Sequence, residues 1–449
     1  MTAPTYSAQP IWLVRDPSRT AAYLEVLLAN VLLGVLLFPY ASPVPIQTDV
    51  QPFAVVFAFM SMMLLIFVRG GVWHFDRTDL YLLFFALLYA VYVDWSVQVF
   101  DLYYFRKNAI MLLAFPAYWA VKHLYPRMSG KTVLVVAWMY LVITLSQKFA
   151  PPLFNLFSRM FLPRVVGMSS ARGLTGPCPE QSFLAFIALS FPIVYRMVMA
   201  NGQKVDPSVD RRRFRTIVVL SVILTLLARS VTGTAFTAAL LGVMWLASAR
   251  DWMARLRRVV AGVGVMALVA TVGVNVVGYR TAYLIRLVAS HPSLILLDSS
   301  IASRYVQVLA GLYTFAMHPL GTGRSVGNKE VFETAATGLR YDAYIPRESM
   351  DYVRSNRNDR GDILILSPFA DSLSRMGILF VVHLMLLLAV LRYRPYSLAS
   401  RTYLLLGIIS SFPLSFPIFW LLLGAHEGWF HRKRVEAALG LTSPVPVPA

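Results

Sequence analysis

"LTGPCPEQSFLAFIALSFP", residues 174–192, begins as a turn rich in glycine and proline and continues as an unbroken apolar run. Together with the residues up to 199, the run is long enough to cross a lipid hydrocarbon core as a helix. It lacks the period-two alternation of a barrel strand, and in lipid only helices and closed barrels satisfy their own backbone. The pattern is general to the chain. Of 449 residues 57% are hydrophobic and only 14% are charged, where a soluble domain carries about 25% charge. The sequence therefore predicts an all-α polytopic membrane protein.

Apolar runs fall near 22–40, 52–68, 79–94, 108–122, 132–149, 181–199, 216–229, 233–249, 259–277 and 375–392, with a last stretch at 402–424. Pro413 and Pro417 interrupt that last stretch. Two readings stay open for it, one kinked helix or a hairpin of two short ones, so eleven or twelve spans are expected. Residues 1–449 form one integral membrane domain on this reading. The first run has arginines ahead of it, no small-residue cleavage site and too much length for a signal core, so it reads as a retained helix.

The formal charge of +19 would suggest nucleic acid in a soluble protein. Here the basic residues sort by loop. With the N-terminus in the cytoplasm, Arg15, Arg19, Arg69, Arg77, "KHLYPRMSGK" (122–131), "DRRRFR" (210–215), "RDWMARLRR" (250–258) and "RYRPYSLASR" (392–401) all face inward. Roughly twenty Lys and Arg lie there against about seven in the short outer loops, which sets orientation and argues against a nucleic-acid partner. The hairpin reading also returns "HRKR" (431–434) to the basic side, so charge favours twelve spans.

Cys178 is the only cysteine and forms no internal disulfide, and no His or Cys cluster suggests a metal. Neither metal nor cofactor is expected. His383, inside an apolar run, is expected to make an interhelical hydrogen bond; Glu25, near a helix end, is expected to reach water.

In this topology residues 278–374 are a large periplasmic loop and 150–180 a smaller amphipathic segment lying along the outer surface. Within the larger loop, "SSIASRYVQVLAGLYTFAM" (299–317) reads as a helix stopped by "HPLGTG". The stretch 324–362, with charges of both signs and few apolar residues, reads as a solvated cap or mobile loop. Arg159, Arg164, Arg172, Arg229, Arg304 and Arg324 all stand on the outer side, against the general bias. Any one of them is accounted for by a neighbouring acid, as Arg304 is by Asp298. As a set, these planar donors suit phosphate oxygens, and a lipid-linked diphosphate is the anion such a site meets at an outer leaflet.

The order "ARGLTGPCPEQSFLA", "LARSVTGTAFTAALLG", "SSIASRYVQVLAGLYTFAMHPLGTGRSVGN", a polar loop and "SPFADSLSRMGILFV" resembles the O-antigen polymerases and the related O-antigen ligases. The resemblance covers roughly residues 150–393. Polymerases show an R-x-G…E-P-S-like element at a helix head; here it is Arg172, Gly173, Gly176, Glu180, Gln181 and Ser182, with Pro179 before the glutamate rather than after it. An R…h-P-l-G-x-G element is matched by Arg304, His318, Pro319, Leu320, Gly321 and Gly323.

The resemblance implies a GT-C-like, metal-independent inverting glycosyltransferase at the periplasmic face of the bacterial inner membrane. It implies transfer of a glycan from undecaprenyl diphosphate to another lipid-linked repeat unit (polymerase) or to lipid A core (ligase). Membrane lipids, a chain-length regulator and a flippase are the implied partners. Ligases place a histidine in the outer loop where this chain has Ser367 and Asp371, which favours polymerase.

Arginines stabilise a departing diphosphate where no metal does so, and a carboxylate can take the acceptor's proton. Arg172, Arg229, Arg304 and Arg324 are the diphosphate candidates, Glu180 the first candidate base and Asp371 the second. Both acids also stand at helix starts, where the macrodipole and capping favour an acid without any catalysis. "GTG" (321–323) reads as a turn. A transporter or lipid-linked glycan flippase is the other class; it predicts internal repeats and polar residues at mid-membrane, and the chain shows neither clearly.

Overall fold

The computed structural model describes residues 19–42, 53–68, 75–96, 102–161, 173–201, 205–230, 296–297, 299–357, 361–363, 365, 367–392, 397–410 and 412–438, with scattered positions from 233 to 257. The run expected at 259–277 lies outside the described residues, and so does most of the one at 233–249. Within the described residues the fold is all-α, with one isolated antiparallel bridge between Arg357 and Ile363. The bundle is built from α1 (Arg19–Leu36), α2 (Phe53–Val68), α3 (Arg77–Ser96), α4 (Leu102–Leu124), α5 (Gly130–Phe149), α6 (Pro151–Phe161), α7 (Gln181–Met199) and α8 (Pro207–Ala228). After them come α9 (Ser299–Met317), α10 (Lys329–Gly338), α11 (Arg347–Ser355), α12 (Pro368–Met376), α13 (Ile378–Val390), α14 (Ser397–Ser410) and α15 (Pro417–Ala438).

Among the described residues two helices, α5 and α7, are long and apolar enough to cross a membrane, and four shorter apolar segments accompany them. The other long helices carry charges within their length: Asp79 and Asp94 in α3, Arg106, Lys107 and Lys122 in α4, four arginines in α8. The basic segment "DRRRFR", expected in a loop, is instead the first turns of α8. Asp206 caps that helix by accepting from Ser208 N at 2.8 Å, and Pro207 at the first helical position pre-sets its backbone. The run expected at 375–392 starts later, because Gly377 (φ 55°) ends α12 and the chain turns into α13. The stretch at 402–424 is two helices: the chain reverses between Ser410 and Pro417, at the two prolines.

Both antiparallel and parallel helix pairs pack in the bundle. Antiparallel α7 and α8 are tied at one end by Tyr195 and Arg196 on Asp210 (2.8 and 3.3 Å), and at the other by Leu174 N donating to Leu227 O (3.0 Å). α1 and α5 run parallel, with Asn30 beside Thr132 and Leu37 O accepting from Tyr140 (2.7 and 2.8 Å). Aromatic rings fill the centre: Phe186 of α7 stacks on Tyr403 of α14 (4.2 Å) and on Phe412 (4.3 Å).

α15 packs closely on α4. "GAHEG" (424–428) sets two glycines one turn apart, and a Cβ on Gly424 or Gly428 would lie 2.5 or 2.7 Å from the carbonyl oxygen of Tyr118 or Lys122. Small residues at this spacing let two helix backbones approach closely. This basic end of the bundle also collects Lys122, Arg127, Lys131, Arg392 and Arg434. Lys122, counted as a loop charge in the sequence, is buried and bonds Asp76 and Asp79 at 2.7 Å each, while Tyr118 OH donates to Asp79 at 2.8 Å. Burial pushes the Asp76 carboxyl up, but the bond and charge of Lys122 outweigh it and hold it below the usual carboxylate range. Glu25 meets Arg127 at 3.5 Å. His383 departs from expectation: both ring nitrogens are buried with no hydrogen-bond partner, and the ring packs against Phe85 at 4.9 Å.

The described residues of 324–362 are not an open loop. With α9 they form a cap that has its own core of Val306, Phe332, Ala335, Tyr341, Met350 and Val353. Asn328 caps α10 by accepting from Glu330 N (3.1 Å), Tyr341 OH donates to Val306 O (2.7 Å), and Arg354 holds Glu333 through two bonds (3.0 and 3.2 Å). α6 is the amphipathic start of the 150–180 segment, and Ser42 N donates to Phe161 O at 2.8 Å.

Candidate functional site

The helix ends opposite the basic end carry Glu180 and Arg229. Here α7 begins and α5, α8 and α14 finish. Glu180 is the N-cap residue of α7, but its side chain makes no capping bond; it is exposed and accepts from Ser182 Oγ at 3.2 Å. The capping role considered for this acid is therefore not the one its carboxylate fills. Preceding it, Gln147 of α5 accepts from Thr175 N (2.9 Å) and Gly176 N (3.1 Å), which fixes the turn leading into the helix.

Arg229 closes α8 in the left-handed region (φ 48°, ψ 34°), where a side chain other than that of Asn or Asp is uncommon, and it is exposed. Gly173 packs directly on Ala228 O and the Arg229 Cβ, an approach no larger residue fits. Arg172 is outside the described residues. Its covalent neighbour Gly173 nonetheless lies against Arg229, so the chain brings these two sequence elements to one corner.

α9 runs parallel to α12 beneath the cap. Gln307 Oε1 accepts from Ser367 N (3.1 Å), and Gly311 lies against the backbone of Ala370. Ser367 is the N-cap of α12, and its Oγ also donates to Ile409 O of α14 at 3.0 Å. Phe412 follows, with its ring 4.9 Å from Phe183 of α7. The start of α12 is thus joined through the end of α14 to the start of α7. Arg304, three residues before Gln307 on α9, is half-buried at this same end.

"HPLGTGRS" (318–325) wraps the junction of α12 and α13 as a strap. Thr322 N and Gly323 N donate to the carbonyls of Ser374 and Arg375 (2.9 and 3.0 Å), and Ile378 N donates to Pro319 O (2.8 Å). Gly321 (φ 84°) lies against the Arg375 carbonyl, so "GTG" is the turn expected of it. Ser374 Oγ donates to Arg324 O at 3.1 Å, and Arg324 N donates to Thr322 Oγ1 at 3.1 Å. The backbone of Arg324 is held on both sides. Its side chain is half-exposed and pairs with the exposed Glu330.

Asp371 does not cap α12. Its Oδ1 accepts from Ser325 Oγ at 2.6 Å and its Oδ2 meets Arg375 Nε at 3.1 Å, with both side chains largely buried. One residue on, Ser372 shares a 2.6 Å hydrogen bond with Tyr89 of α3. Arg375, Ser325 and Tyr89 were not among the residues picked from the sequence. Arg375 had a legible signal, an arginine one helical turn after Asp371 at the mouth of an apolar run. Ser325 and Tyr89 had none, because they come from distant segments. Among the described residues no group of three His, Cys, Asp or Glu side chains is placed to hold a metal ion.

No known protein family matches the chain, and no curated protein or solved structure is similar to it.

Proposed function

We propose that the chain is a polytopic protein of the bacterial inner membrane that polymerises undecaprenyl-diphosphate-linked oligosaccharide repeat units at the periplasmic face. The single observation that carries the reading is that Glu180 at the start of α7, Arg229 at the end of α8 and the start of α12 with Asp371 lie together away from the basic end, while Arg304 and Arg324 belong to α9 and the strap that pack on α12. The positive-inside rule makes the basic end cytoplasmic and this end periplasmic. On that assignment α14 and α15 supply the eleventh and twelfth spans.

The reaction is a displacement. The acceptor hydroxyl oxygen bonds to the anomeric carbon as the bond from that carbon to the diphosphate oxygen breaks. The electron pair leaves with the diphosphate and the hydroxyl proton passes to a carboxylate. Attack opposite to the leaving group inverts the anomeric centre. Arg229, Arg304 and Arg324, with Arg172 beside Gly173, are assigned to the departing diphosphate. Glu180 is the better placed acid of the two for the proton, since its carboxylate is exposed and accepts from Ser182 Oγ through one oxygen, whereas both oxygens of Asp371 are already engaged.

The test is incubation of the purified protein with lipid-linked repeat units. A ladder of oligomers on the carrier, weakened at least tenfold by Arg304→Ala and Arg172→Ala, is the expected result. Unextended substrate, with both variants matching the parent, overturns it. Transfer only to a lipid A core acceptor makes the chain a ligase, and movement of the substrate across vesicles without extension makes it a flippase.

A further inference from the structure

The strap gives Arg324 the construction of a preorganised anion-binding residue. Its backbone is pinned by Thr322 and Ser374. Its neighbour Ser325 donates to Asp371, which is itself held by the buried Arg375. Only the guanidinium end is left in solvent, and what it touches there is Glu330, one turn into the cap and still more exposed than the arginine. A rigid frame holding an exposed fork is the arrangement needed to bind an anion without reordering the chain.

We infer that Glu330 is an internal stand-in for the substrate's phosphate: it occupies Arg324 in the empty protein and is displaced when a diphosphate arrives. This rests on the functional reading above for the identity of the anion. The Arg324–Glu330 pair is shared between two exposed side chains, so it is weak enough to exchange. A diphosphate carries more charge and offers bidentate oxygens, so it outcompetes one carboxylate for the same fork. Ser325, Asp371 and Arg375 are positioning residues in this scheme. They make no contact with the anion and set where Arg324 stands.

The inference predicts a gain of affinity. Glu330→Gln removes the competitor and keeps the shape, so it should tighten binding of inorganic pyrophosphate to the detergent-purified protein by about two- to fivefold. Arg324→Ala should weaken it at least tenfold, with Arg324→Lys intermediate because a single ammonium lacks the fork. Asp351→Asn is the control. Asp351 pairs with Arg347 at 3.8 Å on the exposed side of α11, so it makes the same charge change within the same cap and should leave pyrophosphate binding unchanged. Equal tightening by Asp351→Asn assigns the effect to overall charge and overturns the inference, as does a Glu330→Gln protein that binds no tighter than the parent. With lipid-linked repeat units, Glu330→Gln should lower KM and leave kcat unchanged. A parent that binds pyrophosphate with this pattern but makes no ladder refutes the polymerase reading and leaves the exchange standing.

Discussion

The two ends of this bundle use charge in opposite ways. At the basic end Lys122, Asp76, Asp79 and Tyr118 are bonded to one another, with Lys122 and Asp79 almost wholly buried, and two glycines bring α15 against α4, which carries Lys122 and Tyr118. At the cap end Arg229 and Arg324 keep their backbones fixed and their guanidinium groups in solvent. Buried pairs satisfied from within are a device for holding helices together; fixed backbones presenting exposed cations are a device for meeting something from outside. The count of charges therefore says little about function, and where their bonding capacity is spent says more.

If the basic end is a structural weld, breaking it should be the most damaging change in the molecule. Lys122→Met leaves Asp79 buried without its cation, and removal of one partner of a buried pair costs about 3–5 kcal/mol. Thermal unfolding in detergent should show that loss, while pyrophosphate binding measured below the transition stays at the parent value. A parental melting temperature breaks the comparison. A smaller loss, about 1–3 kcal/mol, is expected for Gly428→Val, which forces α15 off the Lys122 carbonyl. Ser325→Ala at the cap end removes one hydrogen bond to a carboxylate, about 1.5–3 kcal/mol at most, and should loosen pyrophosphate binding as well as stability. An effect on stability alone would make the strap merely structural.

Acid sharpens the same contrast. The folded Asp76 carboxyl titrates below its unfolded value of about 3.9. Its contribution is therefore complete above that value and is lost as pH falls through the lower, folded one. Unfolding midpoints should decline on that limb in the parent, and Asp76→Asn should flatten the decline. An unchanged slope in the variant removes Asp76 from the weld.

The helices were legible because apolar runs, prolines and capping residues act locally: α9 has the bounds its Ser-rich start and "HPLGTG" stop suggest, and the prolines near 413–417 mark a reversal. The candidate arginines were legible through a charge bias that depends on loop order alone. The weld was not, since Lys122 in "KHLYPRMSGK" looks like any loop cation until Asp76 and Asp79, over forty residues away, close on it. The core of the cap was not legible for a related reason. Phe332, Tyr341, Met350 and Val353 are too sparse to mark a core by density, and only folding over α9 brings them together. Arg375 was legible one helical turn after Asp371, at the first position of what looked like a span.

The smallest expected effect separates function from stability most cleanly. Arg229 sits at φ 48°, and Gly173 fills the space behind it, so the residue has no room to relax. A left-handed residue with a side chain is strained by roughly 1 kcal/mol relative to glycine at a helix end. Arg229→Gly should therefore raise stability by about 0.5–1 kcal/mol, a rise of a degree or two in melting temperature for a chain of this size. Were Arg229 a passive cap, that gain would come with activity intact. If instead the strain is kept for the sake of the guanidinium, the same variant should be more stable and extend lipid-linked repeats at least tenfold more slowly, with Arg229→Lys recovering part of the rate at parental stability. A stabilised variant with full activity removes Arg229 from the site and leaves Arg304 and Arg324 to carry the anion.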